Sequence, residues 1–233
     1  MKVAYCKVVV LVDNRALSDE VETTWGFAAL VETPREKVLF DVGPDYELLL
    51  DNSKKLGVDL SGVDAVFISH WHGDHAGALP DMPTPKVLAV PSINSYAKEA
   101  MNKGCNVLCS EYPYKIFDGI YSTGGLGGLL LREHSLVVDV EGFGGVVLVG
   151  CSHPGLEKIL SRVEKMGVKP CTVIGGFHVG GWEARRLVNL FERVKVRQIA
   201  PCHCTSEDAL MVFQAELPGR VIDCGVGRML TYP

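Results

Sequence analysis

The sequence predicts a mixed α/β fold with helices covering sheets, and three observations carry that expectation. Short apolar runs alternate with amphipathic stretches along the chain. The runs are continuously apolar, as strands are when both faces are buried. Four of the later runs end in a histidine: Ala65–Ser69 into His70, Val146–Ser152 into His153, Thr172–Phe177 into His178, and Val196–Cys202 into His203.

Taken in order, valine-rich Val3–Val12 reads as a first strand. Phe27–Glu32 and Lys37–Phe40 read as a strand pair turning around Pro34, and the second delivers Asp41. Asp45–Leu56 carries Tyr46, Leu49, Leu50 and Leu56 on one stripe and stops at Gly57, the pattern of a helix. Ser92–Lys103 reads as a second helix, with Ser92 as N-cap and Gly104 beyond its end. Helical patterns at Leu156–Met166, Glu183–Val194 and Ser206–Leu217 follow the strands ending in His153, His178 and His203. Between Pro80 and Ser135 the rhythm breaks at Pro80, Pro83, Pro85, Pro91 and the Gly124–Gly128 cluster. The expectation is one domain over residues 1–233 with a loop-rich insertion around 80–135, part of it an irregular loop over the site.

With 47% hydrophobic and 22% charged residues, the 233-residue chain is neither disordered, collagen-like nor a coiled coil. A net charge of -5 gives no general pull toward nucleic acid. The early apolar run Val8–Val12 stops at Asp13, far too short to cross a bilayer. A cytoplasmic protein is expected, acting on a small molecule without a nucleic-acid or membrane partner. The eight cysteines are scattered and imply no disulfide framework.

The sharpest signal is His70-Trp-His-Gly-Asp-His75, four potential ligands within six residues. On an extended segment His70 and His72 project to one side. Gly73 permits a tight turn, so Asp74 and His75 can face back toward the same cavity. Imidazole with carboxylate suits zinc, and also iron or manganese.

This motif resembles the signature of the metallo-β-lactamase superfamily. Asp41 in Leu39-Phe-Asp-Val-Gly43 and the later single histidines, His153 and His203, follow in the order that family shows. The phrases Trp25-Gly-Phe-Ala-Ala-Leu30, Gly150-Cys-Ser-His-Pro-Gly155 and Gly175-Gly-Phe-His178 are similar to a subgroup that includes a dihydropterin–ribofuranosylaminobenzene-phosphate synthase. The resemblance implies a four-layer αβ/βα sandwich with the metal site at one edge between two sheets. It implies two divalent metals, zinc foremost: His70, His72 and His153 at one, Asp74, His75 and His203 at the other. Asp41 would orient a ligand or its loop from behind.

One departure matters. Many members place a metal-bridging aspartate between the last two motifs, where this chain has His178 and no acid before Glu183. His178 is expected to line the site, binding metal or substrate, with a structural role as the alternative. His134 is split between a pocket wall and a surface position. Cys151, Cys202 and Cys204 read as buried thiols, because alternation along a strand would turn Cys202 and Cys204 away from His203. Trp25, Trp71 and Trp182 read either as core residues or as walls for a flat ring.

The chemistry implied is hydrolysis of an ester, lactone, amide or phosphoester. Two cations about 3.5–4 Å apart would turn a water into hydroxide, which Asp74 orients while accepting the proton released, with His178 as donor to substrate. The second reading is the synthase-like coupling of a dihydropterin pyrophosphate to an aryl amine phosphate, the metals holding the pyrophosphate. Arg132, Arg185, Arg186 and Lys158 are its phosphate-binding candidates. A third class, a non-hydrolytic redox protein, is disfavoured because flavin-linked di-iron members carry an acid where this chain has His72.

Overall fold

Two sheets pack face to face in the computed structural model, which describes residues 1–128 and 131–233. The first part of the chain supplies β1 (Cys6–Val12), β2 (Ala28–Glu32), β3 (Lys37–Phe40), α1 (Tyr46–Lys55), β4 (Ala65–Phe67) and α2 (Gly73–Ala76). Next come β5 (Val87–Ala89), α3 (Ser95–Asn102), β6 (Asn106–Leu108), β7 (Tyr114–Phe117), β8 (Ile120–Ser122), β9 (Leu126–Gly127) and β10 (Arg132–Glu133). The last part supplies β11 (Leu136–Val140), β12 (Gly144–Val149), α4 (Leu156–Lys165), β13 (Pro170–Gly176), α5 (Gly181–Val194), β14 (Gln198–Cys202), α6 (Glu207–Glu216) and β15 (Met229–Tyr232).

The first sheet runs β15-β1-β2-β3-β4-β5-β6 and the second β14-β13-β12-β11-β8-β7. Within them β3 to β6 are mutually parallel, as are β12 to β14. Their inner faces share one core, in which Val8, Phe40 and Phe67 meet Leu136, Val146 and Ile174. Outside the first sheet lies a second core with Leu49 of α1 and Ala97 of α3. Outside the other, α4, α5 and α6 bury Leu160, Phe191 and Phe213. The order of layers is therefore αβ/βα, as the resemblance implied. Each fully buried large side chain contributes about 1.5–3 kcal/mol of transfer free energy. No helix among the described residues is long and apolar enough to cross a membrane.

Three helices, α1, α3 and α6, start where a side chain satisfies a free backbone N–H. Asp45 Oδ1 accepts from the Leu48 amide at 2.8 Å and Ser206 Oγ from Ala209 at 3.2 Å. Asn94, not Ser92, caps α3, accepting from Ala97 at 2.9 Å. Ser92 lies before the turn, where its carbonyl accepts from Trp71 Nε1. Trp71 thereby joins the packing beneath the first sheet.

The stretch 80–135 is more regular than its prolines and glycines suggest. It contributes β5 and β6 to one sheet and β7 and β8 to the other, with α3 between them. The prolines punctuate short strands instead of marking one long loop. The Gly124–Gly128 cluster enters the small β9–β10 hairpin, and residues 129 and 130 lie outside the described part.

His134 stitches the sheets together and is not at the surface, where one expectation put it. It is fully buried, stacked on Phe67 with ring centroids 3.9 Å apart. Its Nε2 donates to the Ile68 carbonyl at 2.8 Å, so Nδ1 accepts from Ser122 Oγ at 2.8 Å. These bonds require the neutral ring, and burial, opposed by the Ile68 carbonyl, pushes its pKa down to about 3.

Unfolding raises that value back to 6.5. The unfolded chain therefore binds a proton that the folded chain refuses, so this group's contribution is complete above 6.5 and is lost as pH falls toward 3. His134→Gln should lose about 2 kcal/mol less stability than wild type between pH 7 and pH 5. Urea titrations at both pH values measure this, and parallel losses in the two proteins would refute it.

Candidate metal centre

The histidines converge because the parallel strands of both sheets end at the same edge. Asp41 follows β3, His70 follows β4, and His153, His178 and His203 follow β12, β13 and β14. Most of these strand ends turn abruptly. Among the described residues five non-glycines have positive φ, and four are Asp41 (51°), Ser152 (60°), His178 (49°) and His203 (50°). A side chain in that region is strained, and such strain persists where surrounding contacts enforce it.

Two sets of donors form. His70 Nε2 and His72 Nδ1 are 3.1 Å apart, and the His153 ring lies 4.8 Å from one and 5.0 Å from the other, between centroids. His75 Nε2 and His203 Nε2 are also 3.1 Å apart, with Asp74 Oδ2 at 3.8 Å and 3.3 Å from them. Within each set the ligand atoms all lie within 4.8 Å of one another. The His70 and His75 rings are 4.1 Å apart, so the sets adjoin. His153 Nε2 is buried without a hydrogen-bond partner. Buried polar atoms are rarely left unpaired, and converging imidazole and carboxylate donors fit a divalent cation.

Outer residues fix these donors. Fully buried Asp41 accepts from the Ser69 amide at 2.6 Å, Ser69 Oγ at 2.7 Å and His75 Nδ1 at 2.7 Å. With Nδ1 occupied, His75 turns Nε2 to the cavity. Since Ser69 Oγ donates to Asp41, it accepts from His70 Nδ1 at 3.0 Å, and His70 Nε2 is also left free. Glu133 accepts from the amides of Cys151 (3.1 Å), Ser152 (2.8 Å) and His153 (2.8 Å). Asp13 accepts from the His203 amide at 3.1 Å, and Asn14 donates to the His203 carbonyl at 3.2 Å.

His178 is exposed at the rim, its ring 4.8 Å from that of His153. Its donor atom groups with Cys151 and His153 and with no member of the Asp74 set. Exposed Trp25 stands beside the site with its ring 4.9 Å from that of His203, whereas Trp182 is exposed at the start of α5.

Four site residues escaped the sequence reading. Glu133 and Asp13 had no motif around them, and their role lies in long-range bonds to backbone. Cys151 and Cys204 were read as inert thiols. Cys151 is buried, yet its Sγ lies 3.3 Å from His75 Nε2. Cys204 does not alternate away from His203, because His203 is left-handed and redirects the chain; its Sγ groups with the Cys151 Sγ and a ring nitrogen of His203. The strand ends in Gly-Cys-Ser-His and Cys-His-Cys were the available signal.

Burial shapes the electrostatics. Burial, with the neighbouring imidazoles of His75, His153 and His72, holds His70 far below the usual imidazole range. Burial and adjacent imidazoles bring both His153 and His203 down to about 4. Burial also acts to lower His75, but the Asp41 charge and hydrogen bond overcome it and raise this ring. Burial pushes Glu133 up to about 7. The cavity therefore presents several unprotonated imidazoles at neutral pH.

Comparison with known proteins points the same way. The metallo-beta-lactamase superfamily model matches residues 26–105. The 7,8-dihydropterin-6-methyl-4-(beta-D-ribofuranosyl)-aminobenzene-5'-phosphate synthase of Methanocaldococcus jannaschii is 27% identical, over 82% of this chain and 84% of that protein. The solved structure of Tm1679, described as a metal-dependent hydrolase of the beta-lactamase superfamily, is 27% identical with TM-score 0.81, over 97% of this chain and 98% of that one. A diphosphatase from the PhnP family shares the fold at 13% identity, TM-score 0.63, over 98% of each chain.

Glu133→Ala leaves three buried amides without their acceptor. It should cost about 3 kcal/mol or more, read from denaturant unfolding of the protein freed of metal. A change under about 1 kcal/mol would show that the 151–153 turn holds itself.

Proposed function

The chain carries a metallo-beta-lactamase superfamily domain, and from that premise we propose that it is a metal-dependent hydrolase acting on an ester, lactone, amide or phosphoester. The convergence of two donor sets around one cavity, with His153 Nε2 buried and unpaired, carries this reading. His70, His72 and His153 would hold one cation; Asp74, His75 and His203 would hold the other, with zinc foremost and iron or manganese as alternatives. Bound cations supply Lewis acidity and bring the pKa of water toward neutrality.

The chain's own groups do the rest. Asp74, with one-fifth of its side chain exposed, is the carboxylate that meets solvent and accepts the proton of the attacking water. His178 stands exposed beside His153, where its imidazole donates a hydrogen bond to a substrate oxygen or leaving group. Asp41, Ser69 and Glu133 take no part in proton transfer and keep the donors aimed.

The second reading, coupling of a dihydropterin pyrophosphate to an aryl amine phosphate, is favoured by the 27% identity to the synthase across most of both chains. It needs a flat wall and a cation for phosphate. Trp25 offers the first beside His203. Arg186 is the candidate for the second, in a cavity of about 570 Å³ that it shares with Arg193, Glu157 and Glu183 and that none of the metal-donor residues lines. Arg132 is paired with Glu111, and Arg185 with Glu216 at 3.5 Å, so both are less available.

A panel of phosphodiesters, lactones and thioesters, run with added metal beside a pterin-coupling assay, separates the two. Turnover of a panel member without coupling supports the hydrolase; coupling alone overturns it. His72→Ala should lower bound metal per chain and abolish turnover, and full metal content with an unchanged rate would refute the ligand assignment. His178→Ala should lower kcat with little change in the unfolding midpoint. Unchanged kinetics would remove His178 from the reaction.

A further inference from the structure

We propose that Cys151 is a metal-coordinating thiolate placed between the two donor sets, where a bridging carboxylate would otherwise be expected. This rests on the two-site reading above.

Its position sets Cys151 apart from the other seven cysteines. The Cys151 Sγ groups with His70 and His75, one residue from each set. It also groups with His153 and His178 on one side, and with His203 and Cys204 on the other. Four of the six proposed ligands therefore have a donor atom within 4.8 Å of this one sulfur. His178, at the strand end where a bridging aspartate was sought, has no such reach: its only grouping among the described residues is with Cys151 and His153.

The sulfur is held in this place. The Cys151 amide donates to Glu133, whose carboxylate also holds Ser152 and His153. Gly150 is locked beneath, since a Cβ there would lie 2.2 Å from Ser69 Oγ and 3.1 Å from His70 Nδ1. The strand end thus cannot retreat from the histidines, and the thiol is buried against them. A thiol that only filled core space would contact apolar groups; this one has His75 Nε2 at 3.3 Å.

Coordination exchanges the S–H proton for the cation. The sulfur lone pair forms the bond to metal, and the proton leaves to solvent through the open rim beside His178. No oxidant or reductant is consumed. Thiolate favours zinc and other borderline or soft cations over magnesium or calcium. Cys204 is a second sulfur grouped with Cys151 and His203, and the two thiols are separated by experiment.

Cobalt(II) reports this without turnover. Metal-free protein titrated with cobalt should develop visible ligand-field bands together with a near-ultraviolet sulfur-to-cobalt charge-transfer band. In Cys151→Ser the charge-transfer band should vanish while the visible bands persist, with cobalt affinity lower by about tenfold or more, a scale already reached by changes to outer partners. Cys204→Ser should keep the charge-transfer band. Visible bands without charge transfer in the wild type would overturn the thiolate assignment and leave the two-site reading standing. A charge-transfer band that survives in Cys151→Ser and is lost in Cys204→Ser would overturn it in favour of the other sulfur. Absence of any cobalt band in the wild type would overturn the two-site reading itself, and this assignment with it. Circular dichroism matching that of the wild type confirms that the serine variants fold.

Discussion

Asp41 is the buried charge on which the site is built. A carboxylate without water is costly unless every strong donor nearby turns to it. Here three do: the amide and hydroxyl of Ser69 and Nδ1 of His75. Those bonds join the end of β3 to the end of β4 and to α2. β4 has only three residues and α2 only four. The same bonds choose the tautomers of His75 and, through Ser69, of His70. One residue with no access to solvent therefore sets which nitrogen faces the cavity in both donor sets.

Strand ends make the rest possible. A parallel strand that simply continued would alternate its side chains between the two faces of the sheet. The left-handed residues Asp41, Ser152, His178 and His203 break that alternation where a side chain must swing across the sheet edge. Each break carries backbone strain, and two are enforced by a buried acid: Asp13 grips the amide of His203, and Glu133 grips the amides from Cys151 to His153. Close approach of the β13 and β14 ends is secured by Gly176, where a Cβ would lie 2.5 Å from the Cys204 sulfur.

How much of this the sequence discloses follows from range. The apolar runs, their order and the histidines at their ends are local, so the sandwich and both donor sets could be named from the chain alone. Bonds that span the fold are not local. Glu133 and Asp13 look like ordinary acids in sequence, yet Asp13 meets His203 across 190 residues. The misreading of Cys204 has the same origin, because ideal alternation was assumed where His203 is left-handed. His134, split between a pocket wall and a surface position, illustrates the same point: the partners that bury it, Ile68 just beyond β4 and Ser122 of β8, belong to opposite sheets.

The two donor sets are not equivalent, and the difference bears on how a substrate would approach. His75 and His203 are buried, and only Asp74 of their set meets solvent. His72 is exposed and His153 partly so, with exposed His178 beside them. A ligand entering from solvent thus meets the His72–His153 side first, with Trp25 across the cavity against His203. In the other set His70 is fully buried and only His72 and His153 meet water, so exchangeable contacts with a substrate belong beside those two rings. Solvent therefore reaches each set through a few groups, Asp74 on one side and His72 and His153 on the other.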